Sequence, residues 1–126
     1  MVRSVMVSMA VLLSTASLHA QPVPELNGEW VARFKAPNGQ DREAKLTVDG
    51  ATAVWQVHFS AAGNPCLGRP TPASVSKADA TSVDVMLFAS KALAGCVDSK
   101  MRLVQIDADT YEAILDGGRK ATFKRR

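Results

Sequence analysis

Few side chains in this 126-residue chain can do chemistry, and their types and spacing set narrow limits. There are two cysteines, Cys66 and Cys96, and two histidines, His19 and His58. A cysteine held beside a histidine is a nucleophile–base pair, whereas two cysteines in an oxidising compartment form a disulfide. Cys66 and Cys96 show no C-x-x-C spacing, and His58 is the one histidine beyond the N-terminal leader described below, so the ligand pool for zinc is thin. The expectation is a Cys66–Cys96 disulfide, no metal and no thiol nucleophile. His58 then carries what is left of an enzyme case. It stands between Val57 and Phe59 on the polar side of an alternating stretch, which reads as a surface strand residue. Asp107, Asp109 and Asp116 fall in turn sequences, where aspartate is favoured for its local hydrogen bonds. No calcium-loop pattern surrounds them, and no glycine-rich phosphate loop follows a strand. The chain is therefore expected to be non-enzymatic and to use no cofactor.

His19 drops out because it belongs to an export leader. Arg3 precedes an uncharged, mostly apolar run from Val5 to Leu13, and the more polar STASLHA leads to Ala20 with Gln21-Pro22 beyond it. A charged start, an apolar middle and a small-residue end make a secretory signal peptide. The apolar run is too short for a membrane span, which needs about 20 residues. Cleavage is expected after Ala20, with a cut one or two residues away left open because Leu18 is large for its position. No cysteine lies near the cut to take a lipid. Residues 1–20 are thus read as a cleaved leader and residues 21–126 as a single domain, soluble in the periplasm or secreted, without membrane insertion and monomeric. Losing Arg3 lowers the net charge from +3 to +2, well short of the field that nucleic-acid binding uses.

The elements that must position these residues repeat with period two. Trp30, Ala32, Phe34 and Ala36 alternate with Val31, Arg33 and Lys35, and Pro37-Asn38-Gly39 turns the chain. Ala44, Leu46 and Val48 form a second alternating run, ended by Asp49-Gly50, and Trp55, Val57 and Phe59 form a third. A Gly- and Pro-rich loop from Ala61 to Thr71 carries Cys66. A short strand near Ser74–Lys77 follows, then one carrying Val83, Val85 and Leu87, then a stretch with Cys96 that has room for one helical turn. Met101, Leu103 and Gln105, then Tyr111, Ala113 and Leu115, then Ala121 and Phe123 mark the last three strands. Asp116-Gly117-Gly118 supplies the last hairpin turn. About eight short strands in series, with no helix long enough to cover a sheet, predict an all-β fold: a small antiparallel barrel or sandwich with one disulfide. The seven mature aromatics all fall in predicted strands, at least six of them on an inward face, which leaves little aromatic surface for stacking on a ligand.

The Asn27-Gly28-Glu29-Trp30 opening resembles the Gly-x-Trp pattern of calycin barrels, the lipocalin and avidin-like proteins. That resemblance implies that Trp30 closes one barrel end under a basic residue from the last strand, here Arg119 or Arg125. The phrase is also similar to the start of Inh-type inhibitors of secreted metalloproteases, whose last hairpin the Asp109–Glu112 to Arg126 ending resembles. The Inh likeness implies an N-terminal segment, here Gln21 to Leu26 with Pro22 and Pro24, that enters a protease cleft. Cys66 and Cys96 do not fall where that family has its disulfide. More broadly the chain is similar to small exported β-proteins of Gram-negative bacteria.

Two further features bear on binding. Arg119, Lys120, Lys124, Arg125 and Arg126 crowd five cations into the last eight residues; alternation aims Lys120 and Lys124 outward as an ordinary polar strand face. The loop AAGNPCLGRPTP, stiffened by Pro65, Pro70 and Pro72 and by the expected disulfide, is the candidate contact surface, with Leu67 and Arg69 as anchors. The expected function is that of an exported binding or accessory module whose partner is an unidentified protein or small ligand. The alternatives are a protease inhibitor acting through its N-terminal segment and a carrier of a small lipophilic ligand in the barrel.

Overall fold

The computed structural model describes residues 23–59, 64–115 and 118–126. The expected leader, Gln21 and Pro22, loop positions Ala61 and Gly63, and Asp116-Gly117 of the last hairpin lie outside them. The period-two runs become eight antiparallel strands: β1 (Gly28–Lys35), β2 (Asp41–Asp49), β3 (Thr52–Val57), β4 (Thr71–Lys77), β5 (Ser82–Leu87), β6 (Ser99–Asp107), β7 (Thr110–Ile114) and β8 (Lys120–Arg125). Each pairs with the next, and β8 pairs back onto β1, so the meander closes into a barrel. Closure removes the exposed edges that an open sheet would present. A single 3-10 turn (Pro24–Leu26) precedes β1, and a one-turn helix α1 (Ala89–Ala92) lies between β5 and β6.

Alternation fills the interior. Trp30, Leu46, Val75, Val85, Leu103, Tyr111 and Phe123 point inward and are buried. Trp30 and Tyr111 meet edge to face with ring centroids 5.2 Å apart, and Trp55 lies 5.8 Å from Phe123. Both spacings suit aromatic pairs. Burial pushes the Tyr111 phenol above its ordinary range. The outer face carries cross-strand ion pairs, of which Arg102 on Asp84 is bidentate at 2.8 and 3.3 Å between directly opposed residues of β6 and β5.

Three local expectations are corrected. Thr71 and Pro72 belong to β4, not to the preceding loop. Pro72 is tolerated there because β5 ends at Leu87 beside it: Pro72 O accepts from Phe88 N–H at 2.8 Å, while Phe88 O, which a proline cannot reach as a donor, accepts from Lys91 N–H at 3.0 Å. His58 and Phe59 lie past the end of β3; His58 N–H still bonds to Glu43 O at 2.8 Å, its partner in the continued β2–β3 register, and the loop begins after it. Phe88 likewise lies past β5, with Lys91 Nζ 4.5 Å from its ring centroid. Thus not all seven aromatics are in strands, and Phe59 is exposed.

Candidate functional site

Strand parity gives the barrel two unlike ends. In a closed meander the connections alternate, so the first, third, fifth and seventh gather at one end, while the others gather with both termini at the opposite end.

The end nearest the termini is shut. Val23 and Leu26 are buried against Trp30, whose indole Nε1–H donates to Leu26 O at 2.8 Å. Arg125 stands opposite Trp30 in the β1–β8 register, with its guanidinium carbon 4.3 Å from the indole centroid. The same guanidinium donates to Asn27 O at 2.8 Å, Glu25 O at 2.7 Å and Asp109 Oδ1 at 3.0 Å. One side chain therefore ties the 3-10 turn, the start of β1 and the β6–β7 turn together. Gly28 serves this arrangement: its φ is +119°, and a Cβ there would stand 3.4 Å from Arg125 Nη1. Lys77 donates to the Glu25 carboxylate and holds it below the usual carboxylate range. Of the two arginines that the Gly-x-Trp likeness offered, the structure brings Arg125 onto Trp30; Arg119 lies at the opposite end, where its Nη1–H donates to Lys35 O at 2.9 Å.

Among the described residues the other end is open. A hollow of about 480 Å³ is lined by Phe34, Ala36, Pro37, Asn38, Arg42, Val57, Phe59, Leu67 and Arg119. The Arg42 guanidinium lies 3.8 Å from the Phe59 ring centroid and donates to Gln40 Oε1 at 2.7 Å. A neighbouring hollow of about 750 Å³ shares Phe34, Arg42 and Arg119, and adds Arg33, Lys35 and Lys120 against Asp41 and Glu43. A third, of about 180 Å³, lies under the disulfide loop between Trp55, Val57, Leu67, Leu87 and Ala89.

The disulfide joins Cys66 to Cys96 and so fastens the β3–β4 loop to the segment after α1. Leu67 is half-buried and faces both the 480 and the 180 Å³ hollows. Pro65, Arg69 and Pro70 are exposed, and Arg69 Nε–H donates back to Pro65 O at 2.8 Å, so this arginine closes its own loop. His58 is half-exposed, with Nδ1 3.9 Å from Glu43 Oε2. Asp107 and Asp109 share one turn, where Asp107 Oδ1 accepts from Asp109 N–H at 2.9 Å and its carboxyl is held low by that bond. Among the described residues no group of three or more His, Cys, Asp or Glu is placed to hold a metal. The basic C-terminal run does not form one patch: Arg119 and Arg125 serve opposite ends, and Arg126 donates to Glu29 Oε1 at 3.0 Å.

Sequence reasoning missed Phe34, Arg42, Val57 and Arg119 as one constellation. Phe34, Arg42 and Val57 looked like ordinary alternating or hairpin residues, and Arg119 was weighed as a cap on Trp30. The signal was available in the strand count, because an eight-stranded meander must bring its first and third connections to the same end.

No family model matches the chain, and no curated protein matches it. Among solved structures, a redesigned β-barrel matches over 87% of this chain and 99% of its own length, at 14% identity and a TM-score of 0.47. The strand order itself shows what the chain is: an all-β protein, a closed antiparallel barrel of eight strands with one disulfide.

Proposed function

We propose that the protein is an exported, non-enzymatic binding module that engages its partner with the open end of the barrel. The observation that carries this reading is the contrast between the ends. One is stopped by Val23, Leu26, Trp30 and Arg125, whereas the other keeps a hollow of about 480 Å³ with Phe34, Val57, Phe59 and Leu67 on its walls. Volumes of about 300–1,000 Å³ with mostly apolar walls and a few polar groups are typical of small-molecule sites. The Cys66–Cys96 bridge supports the same reading, because it restrains the loop that carries Leu67 and so reduces the order to be gained on binding.

The packed interior favours a ligand held at the mouth over one carried deep in the barrel. The inhibitor reading asks Gln21 to Leu26 to leave for a protease cleft, and the burial of Val23 and Leu26 weighs against it. Site-specific photocrosslinking in an exporting Gram-negative host tests the proposal. A photoreactive residue in place of Leu67 or Phe59 is expected to give adducts, and one in place of Thr52, exposed at the shut end, is expected to give none. Adducts from Thr52 alone, or none from the open end, overturn the proposal.

A further inference from the structure

We infer that the outer wall of β6 and β7 is a contact surface for a second copy of this chain, in a weak two-fold dimer. This surface is the side of the barrel, not its mouth, and the inference stands apart from the reading of the open end.

The wall carries a cluster of apolar side chains in water. Among the described residues six large apolar side chains are exposed, and three of them, Val104, Ile106 and Ile114, share the outer face of β6 and β7. Ile106 is 56% exposed and Ile114 59%, on strands whose inward residues Leu103, Tyr111 and Ala113 are buried. A hollow of about 380 Å³ lies over them, bordered by Arg102, Glu112 and Lys120. Single exposed apolar residues are ordinary, whereas a cluster rimmed by charge marks a contact surface.

The strand register points to the occupant. Val104 stands opposite Glu112, and one step along the same pairing Arg102 stands opposite Ile114. These four outward side chains make a rectangle, with the apolar pair on one diagonal and the charged pair on the other. A two-fold axis laid in the wall along the apolar diagonal brings Val104 and Ile114 each against its own copy. The same rotation exchanges the ends of the other diagonal, so Glu112 meets the partner's Arg102, and does so twice. A two-fold interface needs this self-complementarity. Other axes do not provide it: one along β7 sets Arg102 against the partner's Lys120, and one across the strands sets Arg102 against the partner's Val104.

The charged groups are ready for such a contact. Arg102 spends Nε and one Nη2 hydrogen on Asp84, at 2.8 and 3.3 Å, which fixes the guanidinium and leaves Nη1 to donate. Glu112 is half-buried, and among the described residues it makes no hydrogen bond or ion pair. A polyanionic partner would set like charge against Glu112, and a polycationic one against Arg102 and Lys120. A second copy brings both signs, each to its opposite. A standard interface uses about 20–30 residues a side, far more than this patch offers, so the dimer should dissociate at about 100 µM or above. The monomer expected from the sequence is then the dilute form.

Sedimentation velocity of the disulfide-bonded mature chain, from low micromolar to millimolar, tests this. The average mass should rise toward twice that of the monomer. Glu112→Lys should weaken association about tenfold or more, because the two-fold repeats the lost pair and sets like charges together. Ile114→Asp should weaken it at least as much, since an unpaired carboxylate would enter the contact. Both positions are on the outer wall, and an unchanged urea midpoint verifies the fold. Mild oxidation of single added cysteines reads the axis. Ile114→Cys and Val104→Cys should each link two chains through the added thiol, while Val54→Cys, exposed on β3, should leave them separate. A monomer at millimolar concentration, a Glu112→Lys variant that associates like the wild type, or Val54→Cys chains that link as readily as Ile114→Cys chains each overturn the inference. A chain that stays monomeric while a photoreactive residue at Ile114 captures a different protein overturns it in favour of another occupant.

Discussion

Gly28, Trp30 and Arg125 are individually ordinary residues that the fold makes interdependent. Trp30 is fully buried yet its indole N–H is satisfied by Leu26 O, and Arg125 covers the ring while holding two backbone carbonyls. Its bond to Asp109 adds little, because that carboxylate is 72% exposed and well solvated. The covered ring and the two carbonyl bonds are what Arg125→Ala removes. That variant is expected to lose about 2 kcal/mol of stability. The check is a lower urea midpoint with an unchanged slope, the sign of lost native contacts without a change in the unfolded chain. An unchanged midpoint would show that the guanidinium is a bystander. Gly28→Ala tests the backbone instead. Its φ of +119° is one that L residues rarely adopt, so the variant should lose at least about 1 kcal/mol even with Arg125 intact. Arg125→Ala should not rescue it, since the strain lies in the backbone. At this scale the sequence made the motif visible, because Gly-x-Trp is a local phrase. What separates Arg125 from Arg119 is the end of the barrel that each reaches, and the parity of eight strands decides that.

At the scale of elements, the strands were legible because each carries its own inward–outward alternation and ends at Pro, Gly, Asn or Asp. The exceptions have local causes. Pro72 reads as a loop residue until β5 is seen to end beside it, and His58 reads as a strand residue because its N–H still bonds to Glu43 O in the strand register although β3 ends at Val57. The disulfide was legible as a pairing that stiffens the loop carrying Leu67, but the place of that loop beside the open-end hollow is visible only in the fold. Replacing both cysteines with serine is expected to destabilise the protein by up to about 3–4 kcal/mol, the loop-entropy value for a separation of 30 residues. The barrel should still form, as judged by an unchanged far-UV spectrum, while native-state hydrogen exchange in the 64–70 loop quickens. A uniform rise in exchange over all strands would contradict this localised role. The outer faces of β5 and β6 add a dependence on pH. Arg102, through its paired hydrogen bonds, holds the Asp84 carboxyl below the usual carboxylate range. A pKa lowered by folding gives stability that is complete above the unfolded value of about 3.9 and is lost as pH falls through the native one. Acid titration should therefore destabilise the wild type more steeply below about pH 4 than it does Asp84→Asn. Parallel acid curves would show that the pair is too well solvated to matter.

For the whole molecule, closure is what separates stability from binding. With β8 paired to β1 no edge strand is left for association, and the parity of the meander sends both termini to the stopped end and the longer loops to the other. A domain of this size has a modest core, so a covalent tie across its longest connections matters more than it would in a larger protein. That links the fold to the compartment. Thiols stay reduced in the cytosol and pair in the periplasm or outside the cell, so the Cys66–Cys96 bridge is compatible with the export that we propose from residues 1–20. The joint expectation is that a chain made with its leader in a Gram-negative host is recovered from the periplasm with an intact mass starting at Gln21, lighter by its two thiol hydrogens. The same residues made without the leader should stay in the cytosol, titrate two thiols when unfolded, and unfold at the lower midpoint of the double-serine variant. Oxidising that cytosolic protein in vitro should restore the higher midpoint, because the fold already brings the two cysteines together and only the oxidant is missing. A periplasmic chain that keeps residues 1–20, or one that reaches the periplasm with both thiols free, would break the link between export and the bridge. The open end would then depend on its own packing alone to hold Leu67 in place.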